Sequence, residues 1–337
     1  MQTNIEIAMA FIKAITYHLP EEVVTNEQLE TQLGGVESVA KTAGVLSRHK
    51  AAEGETASDL AVKAAEKLFE ENNIERDSID FLLFCTQSPD YFMPSTACVI
   101  QDRLGIPTTA GAFGYDLGCS GYVYGLAIAN SFVDSGFAKN VLLLTADTVS
   151  KYLHPEDKNR LLFGDAATAT LISTDGIAEI GKFEKGTDGS GFEHIIIRNG
   201  GNRHREMTGE TKTDANGNIH RADHFDMDGE AVFNFTIERL PALIDSCLKK
   251  NEITKDEVNY YVFHQANKYM LNTIRKLNKL PKESFFVDLS DTGNTTSSTV
   301  PMGLVKSLKD GNIHQDMKVM VAGFGVGLSW AATILKF

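Results

Sequence analysis

The 337-residue sequence is short of basic side chains, of paired cysteines and of long apolar runs, and each shortage removes a class of function. With 32 Lys and Arg against 45 Asp and Glu, the formal net charge is −13, which repels polyanions and excludes nucleic acid as the expected partner. No uninterrupted apolar run approaches the roughly 18 residues that a membrane span requires. The stretch Ile7–Ile12 is apolar, but Glu6 precedes it, Lys13 follows it, and no basic leader or small-residue cleavage site is present, so no signal peptide is expected. The four cysteines, Cys85, Cys98, Cys119 and Cys247, form no CxxC pair and suit a reducing cytoplasm better than a disulfide framework. Hydrophobic residues make up 42% and charged residues 23%, which excludes wholesale disorder. The expectation is an acidic, cytoplasmic, globular protein.

What is present is a repeat. Asn73–Phe84 reads N-I-E-R-D-S-I-D-F-L-L-F, and Glu252–Phe263 reads E-I-T-K-D-E-V-N-Y-Y-V-F. Ile74 matches Ile253, Asp77 matches Asp256, Ile79 matches Val258 and Phe84 matches Phe263, all at an offset of 179. Upstream of each copy, Ala57–Glu71 and Ala231–Lys250 carry apolar residues at three- and four-residue spacing, which predicts helices. Downstream, Val141–Ala146 and Val319–Ala322 read as buried strands at an offset of 178. Helices alternating with short apolar runs predict two duplicated α/β halves whose sheets stack with helices between and outside. The halves are placed at residues 10–174 and 175–337, meeting near Ser173–Gly176 after the apolar run Ala166–Ser173. The segment 198–228 fits neither copy. It is polar and rich in Gly, Asn, Asp and His, and reads as a surface loop capping the second half. His220 and His224 have the i, i+4 spacing of helical metal ligands, but Gly217, Asn218 and Asp223 argue against a helix, so no metal is expected.

Three segments carry chemistry. In D-L-G-C-S-G-Y-V-Y-G-L (116–126), Cys119 sits on a Gly-bounded turn at a helix start, a setting expected to lower a thiol pKa and supply a thiolate nucleophile. Cys85, Cys98 and Cys247 lie within apolar or amphipathic stretches and read as buried structural cysteines. In H-Q-A-N (264–267), His264 follows the predicted strand Tyr260–Phe263, at the carboxyl end where α/β ligand sites gather; the bland alternative is a helix N-cap that happens to contain His. In D-T-G-N-T-T-S-S-T-V-P (291–301), Asn294 follows a turn glycine, and the hydroxyl run alone could be only a helix cap. Symmetry binds the three. Cys119 and Asn294 are 175 residues apart in equivalent loops, and His264 occupies the place of Cys85, so thiol, imidazole and carboxamide converge on one crevice. G-F-G-V-G (323–327) is not a dinucleotide motif, because only ten residues follow it. Its glycines instead suit close backbone approach to a reacting carbonyl and an oxyanion-hole N–H.

From about Ala10 to Phe337 the chain resembles the β-ketoacyl-[acyl-carrier-protein] synthase III family of the thiolase-like superfamily. The Cys-Ser-Gly turn, F-G-D (163–165), H-Q-A-N, G-N-T and G-F-G-x-G…W-A occur in family order. The resemblance implies a five-layered α/β/α/β/α sandwich, a homodimer and a Cys119–His264–Asn294 site. It implies that Cys119 takes an acyl group, and that His264 and Asn294 then hydrogen-bond the thioester carbonyl of malonyl-acyl carrier protein (malonyl-ACP) as it loses carbon dioxide. The carbanion attacks the acyl-enzyme to give 3-oxoacyl-ACP. It further implies an oxyanion hole from the backbone N–H groups of Cys119 and Val326, and Phe324 beside the cysteine. Met93 would reach the end of the acyl pocket across the dimer interface. No metal or redox cofactor is implied; the substrates are acyl-CoA or acyl-ACP and malonyl-ACP.

The chain departs from the family at the adenine clamp, where W-I-x-x-R-T-G-I is replaced by V-E-S-V-A-K-T-A-G-V with Ser38 and Thr42 at the clamp positions. The only tryptophan is Trp330. Lys158 falls near the second stacking arginine, and Lys268 stands beside the displaced basic position after H-Q-A-N. This points to a carrier-bound acyl donor as well as CoA. Within enzymes the rival is an acyltransferase that passes the same Cys119-bound acyl group to an oxygen, nitrogen or sulfur acceptor; a silent acyl-binding subunit is the rival from another class. A biosynthetic thiolase would want a second reactive cysteine near Gly323–Gly327, which has none.

Overall fold

Helices form where the apolar spacing and a cap coincide. Ala57–Asn72 starts at Thr56, whose side chain and Asp59 make a capping box, and stops at Asn73 in the left-handed conformation. Its counterpart, Gly229–Lys250, starts at Asp228, which accepts from the Ala231 N–H at 2.9 Å. The computed structural model describes residues 9–34, 36–213 and 219–337.

The repeat is visible element by element. After each of these helices comes a single 3-10 turn, Arg76–Ser78 or Lys255–Glu257, and then a buried strand, Phe81–Cys85 or Tyr260–Phe263. Each strand pairs in parallel with a later one, Val141–Asp147 or Lys318–Gly325, which turns back antiparallel into Ala166–Ser173 or Ser329–Lys336. Even the edge anchors correspond: Asp80 Oδ2 accepts from the Lys139 N–H at 2.8 Å, and Asn259 Oδ1 from the Lys318 N–H at 2.7 Å.

The two sheets are joined rather than separate. Ala178–Ile180 pairs with Phe11–Ile12 on one side and with Leu335–Lys336 on the other, making one ten-stranded ladder. Its order is Gly111–Tyr115, Phe81–Cys85, Val141–Asp147, Ala166–Ser173, Phe11–His18, Ala178–Ile180, Ser329–Lys336, Lys318–Gly325, Tyr260–Phe263, with Glu184–Thr187 beside Ser329–Lys336. The connection from 174 to 177 lies between the first half's last strand and this linking strand.

Strand alternation sorts side chains into three cores. Leu82, Phe84, Leu142 and Leu144 face the outer helices Ala57–Asn72 and Thr96–Arg103. Leu83 and Leu143 face inward, where Val123, Leu126, Val300 and Leu304 separate them from Val319 and Val321. Met320 and Ala322 face outward again, onto Leu240, Ile244 and Leu271. The result is the thiolase-like five-layered α/β/α/β/α sandwich, with Gly121–Asp134 and Thr299–Lys309 as the middle layer. Truncating an inward residue such as Leu143→Ala removes buried contacts and costs about 2–5 kcal/mol. No helix among the described residues is long and apolar enough to cross a membrane.

The expectations for the three structural cysteines divide. Cys85 and Cys247 are buried, whereas Cys98 is exposed, because its position on Thr96–Arg103 faces away from the sheet that Ala97 and Ile100 cover. The described residues of segment 198–228 are largely irregular, with two-residue strands: Asp226–Met227, paired with the preceding Ile195–Ile196, and Lys212–Thr213 against Ile219–His220. His220 lies on a strand and His224 in a turn. Each ring meets a carboxylate, Asp226 at 2.6 Å and Asp223 at 2.8 Å. Gly217 and Asn218 lie outside the described residues.

Candidate active site

Both middle-layer helices point their N-terminal ends at one cavity of about 250 Å³, and the loops leading into them carry Cys119 and Asn294. Cys119, His264 and Asn294 all line it, together with Phe324 and Val326. The apolar wall comes from Val149, Phe163, Ile195, Phe225, Met227 and Val232. Segment 198–228 therefore contributes Phe225 and Met227 to the cavity, held by a 2.9 Å bond from the Phe225 N–H to the Tyr152 carbonyl.

Cys119 is seated by the glycine motif. A Cβ on Gly325, whose φ is +156°, would stand 2.8 Å from the Cys119 sulfur, so only glycine lets this backbone lie against the thiol. The Val326 N–H and the Cys119 N–H both approach the sulfur and favour its thiolate. Val326 is in turn braced through its own carbonyl. Ser329 Oγ donates to the Val326 carbonyl at 2.7 Å and lies 2.7 Å from Ser120 Oγ, a buried link between the halves. The glycines thus admit Cys119 itself, and the backbone amides form a donor pair beside it.

The expectation of a lowered thiol pKa is corrected. Burial pushes Cys119 up to about 12, and the nearby Asp147 carboxylate adds to this; the two N–H groups oppose it without reversing it. Cys119 is a neutral thiol at physiological pH and needs a proton acceptor to become a nucleophile.

His264 follows directly on Tyr260–Phe263, its N–H bonded to the Ala322 carbonyl at 2.8 Å. Gln265 bonds back to the Phe263 carbonyl at 2.6 Å, and Asn267 caps the helix Lys268–Leu277 through the Met270 N–H at 2.8 Å. H-Q-A-N is therefore both an N-cap and a site motif. Burial pushes the imidazole down to about 3, so it is neutral. Its Nδ1 lies 2.7 Å from Thr299 Oγ1, which leaves Nε2 for the cavity, and its ring meets Phe324 edge-on at 5.6 Å.

Asn294 is locked between the halves. Its N–H bonds to the Leu162 carbonyl at 2.8 Å, and its carbonyl accepts from the Gly164 N–H at 3.1 Å. Gly293 has φ +65°, and a Cβ there would lie 2.5 Å from the Leu162 oxygen. The F-G-D and G-N motifs thus belong to one contact. Asp165 holds the neighbouring loops through the Ala51 N–H at 2.8 Å and the Ser150 N–H at 3.0 Å. Asn294 Oδ1 accepts from the Thr296 N–H at 2.9 Å, which orients the amide and leaves Nδ2–H to donate into the cavity.

The remaining sequence candidates lie elsewhere. Met93 is 83% exposed, beside Tyr91 and Phe92, and does not line its own chain's cavity. Lys268 starts its helix against Gly44, which follows the helix Val36–Ala43 carrying Thr42; Lys158 begins the turn Lys158–Leu161. Neither lysine lines the cavity. The Ser38 side chain lies outside the described residues.

Sequence reasoning passed over Asp147. It ends the buried strand Val141–Asp147 and accepts from the Gln87 N–H at 2.7 Å, Thr296 Oγ1 at 2.5 Å and Ser297 Oγ at 3.0 Å. Burial pushes its carboxyl up to about 6 despite these donors. An acid closing an otherwise apolar strand was the available signal.

Profiles of the 3-oxoacyl-[acyl-carrier-protein] synthase III family match residues 113–189 and, for its C-terminal part, 248–337. A β-ketoacyl-[acyl-carrier-protein] synthase III of Caldanaerobacter subterraneus subsp. tengcongensis is 32% identical over 324 residues, 95% of each chain. A 3-oxoacyl-(acyl-carrier-protein) synthase III crystal structure at 2.1 Å superposes with a TM-score of 0.95 at 43% identity, covering 98% of this chain and 100% of the other. The 3-oxoacyl-(acyl-carrier protein) synthase of Burkholderia xenovorans superposes at 0.89 with 35% identity, covering 97% and 93%. With the layered fold, the Cys-His-Asn cavity and these matches together, the chain belongs to the β-ketoacyl-[acyl-carrier-protein] synthase III family.

Proposed function

We propose that this chain condenses a Cys119-bound acyl group with malonyl-ACP, releasing carbon dioxide and giving 3-oxoacyl-ACP, at the initiation of a fatty-acid or specialised acyl pathway. The observation that carries this is the orientation of Asn294: with Oδ1 taken by Thr296, the amide has a donor, Nδ2–H, to give to a thioester oxygen. An acyltransferase that only passes its acyl group on needs no such second donor site.

The steps close without a cofactor. Cys119 attacks the donor thioester carbonyl while its proton passes to neutral His264 Nε2 and then to the departing thiolate. The N–H groups of Cys119 and Val326 receive the carbonyl oxygen as it becomes an oxyanion. In the second half, the C–COO⁻ bond of malonyl-ACP breaks. Its electron pair forms an enolate whose oxygen is stabilised by Asn294 Nδ2–H and His264, the imidazole now presenting Nε2–H. The enolate carbon attacks the acyl-enzyme carbonyl and expels the Cys119 thiolate, which a solvent proton restores to the thiol.

We further propose that the donor is carried by acyl carrier protein. In support, the helix Val36–Ala43 bears no aromatic side chain, and Trp330 packs against Phe235 and Arg239, committed to the outer layer. We also propose a homodimer, in which Met93 closes the partner's pocket. Tyr91, Phe92 and Met93 are exposed together, and Gly111–Tyr115 ends the sheet among the described residues. Intact-mass spectrometry after incubation with matched panels of acyl-CoA and acyl-ACP tests the donor. An adduct on wild type from acyl-ACP, absent in Cys119→Ser, supports the reading. An adduct from CoA donors alone overturns the carrier-borne donor.

A further inference from the structure

The hydroxyl run that follows Asn294 does more than cap a helix, and one residue of it stands at a junction. Thr296 is buried and has φ +53°, an unfavourable conformation for a β-branched residue that its surroundings must enforce. Three bonds do so. Its Oγ1 donates to Asp147 Oδ2 at 2.5 Å, its N–H donates to Asn294 Oδ1 at 2.9 Å, and its carbonyl accepts from Thr299 Oγ1 at 3.0 Å. Thr299 Oγ1 in turn lies 2.7 Å from His264 Nδ1. Asp147 is itself anchored in the first half by the Gln87 N–H at 2.7 Å and steadied by Ser297 Oγ at 3.0 Å. The Thr296 N–H thus sets the Asn294 amide, and the Thr296 carbonyl sets the hydroxyl that faces the imidazole.

From this arrangement we propose that Thr296, clamped by Asp147, is the positioning residue that aligns both donors, Asn294 and His264, for malonyl decarboxylation. The Thr299 hydroxyl has two stations. Donating to the Thr296 carbonyl, it accepts from Nδ1–H and leaves Nε2 free to take the Cys119 proton. Donating to Nδ1, it leaves Nε2–H to face the enolate oxygen. The position of the Thr296 carbonyl decides how readily the hydroxyl turns. Loss of the clamp therefore harms decarboxylation twice, through Asn294 and His264, and acylation once, through His264 alone.

This inference rests on the condensing reaction proposed above, and the test separates the two. The two half-reactions are measured on Thr296→Val, Thr296→Ser and Asp147→Asn: acylation of Cys119 by intact mass, and carbon dioxide release from malonyl-ACP. Wild type reports on the reaction itself; if it releases no carbon dioxide, the condensing reading falls. Given an active wild type, Thr296→Val is expected to slow decarboxylation about 100-fold, with acylation slowed at least tenfold less, as follows from misaligning preorganised donors. Thr296→Ser, which keeps the hydroxyl, restores most of the rate, and Asp147→Asn reproduces the selective loss. Equal losses in both half-reactions, or a Thr296→Val enzyme decarboxylating at the wild-type rate, overturn the inference. Should Thr296→Val not fold, Asp147→Asn and Thr296→Ser carry the comparison, and a non-selective Asp147→Asn is then the refuting result.

Discussion

Replacing His264 by glutamine changes how stability depends on pH, and the structure fixes both sign and size. The buried imidazole has its pKa down at about 3, against 6.5 for an ordinary histidine. Between those values the unfolded chain binds a proton that the folded chain refuses, so stability rises with pH at about 1.4 kcal/mol per unit. The contribution is fully present above pH 6.5 and is lost as pH falls toward 3. Asp147 acts in the opposite sense. Its carboxyl is raised from 3.8 to about 6, so it is the folded state that holds the extra proton in that window, and stability falls as pH rises through it. In the wild type the two slopes offset each other between pH 4 and 6. His264→Gln removes one of them. Denaturant midpoints measured for both proteins from pH 5 to 6.5 should therefore diverge by about 2 kcal/mol, the variant gaining relative stability as pH falls. A difference that stays flat across this range would mean that His264 titrates as an ordinary exposed histidine. The neutral buried ring, and with it the proton transfer from Cys119, would be refuted.

Three further outcomes follow from the site geometry. Asn294→Ala removes the oriented Nδ2–H and should lower carbon dioxide release from malonyl-ACP by about 10²–10³-fold, with much less effect on Cys119 acylation; equal effects on both would contradict its assignment to the second half-reaction. Ser329→Ala cuts the brace from Ser120 to the Val326 carbonyl. Acylation should slow about tenfold, and an unchanged acylation rate would remove Val326 from the oxyanion hole. Because burial holds the Cys119 thiol at about 12, its alkylation rate should climb steadily with pH beyond 9; a plateau below pH 8 would restore the thiolate that the structure denies.

What the sequence disclosed followed from local pattern and from duplication. The internal repeat located both helices, both central strands and the loops of Cys119, His264 and Asn294, because each signal is a short run of residues facing one way. The properties that escaped it depend on neighbours distant in sequence. Cys119 looked activated because a helix start is electropositive, but its pKa is set by burial and by Asp147, which the sequence leaves 28 positions away. The hydroxyl run from Thr295 to Thr299 looked like capping chemistry because the partners of Thr296 and Ser298, Asp147 and Thr145, belong to the other half. Ala178–Ile180 is too short to announce itself, and only the pairing with both flanking strands shows that it joins the sheets. The strand Asp226–Met227, which with Phe225 beside it reaches the cavity, lies in a stretch whose polarity read only as surface loop.

The central claim, that a Cys119-bound acyl group is joined to the carbon released by decarboxylation, is tested most directly with malonyl-ACP carrying a labelled free carboxyl carbon. The labelled substrate is added to enzyme already bearing its acyl group. The account predicts one labelled carbon dioxide for each Cys119 adduct lost, with the adduct's mass recovered in 3-oxoacyl-ACP. Loss of the adduct with the label still on the carrier would contradict it and identify a transferase that never breaks the malonyl carbon–carbon bond.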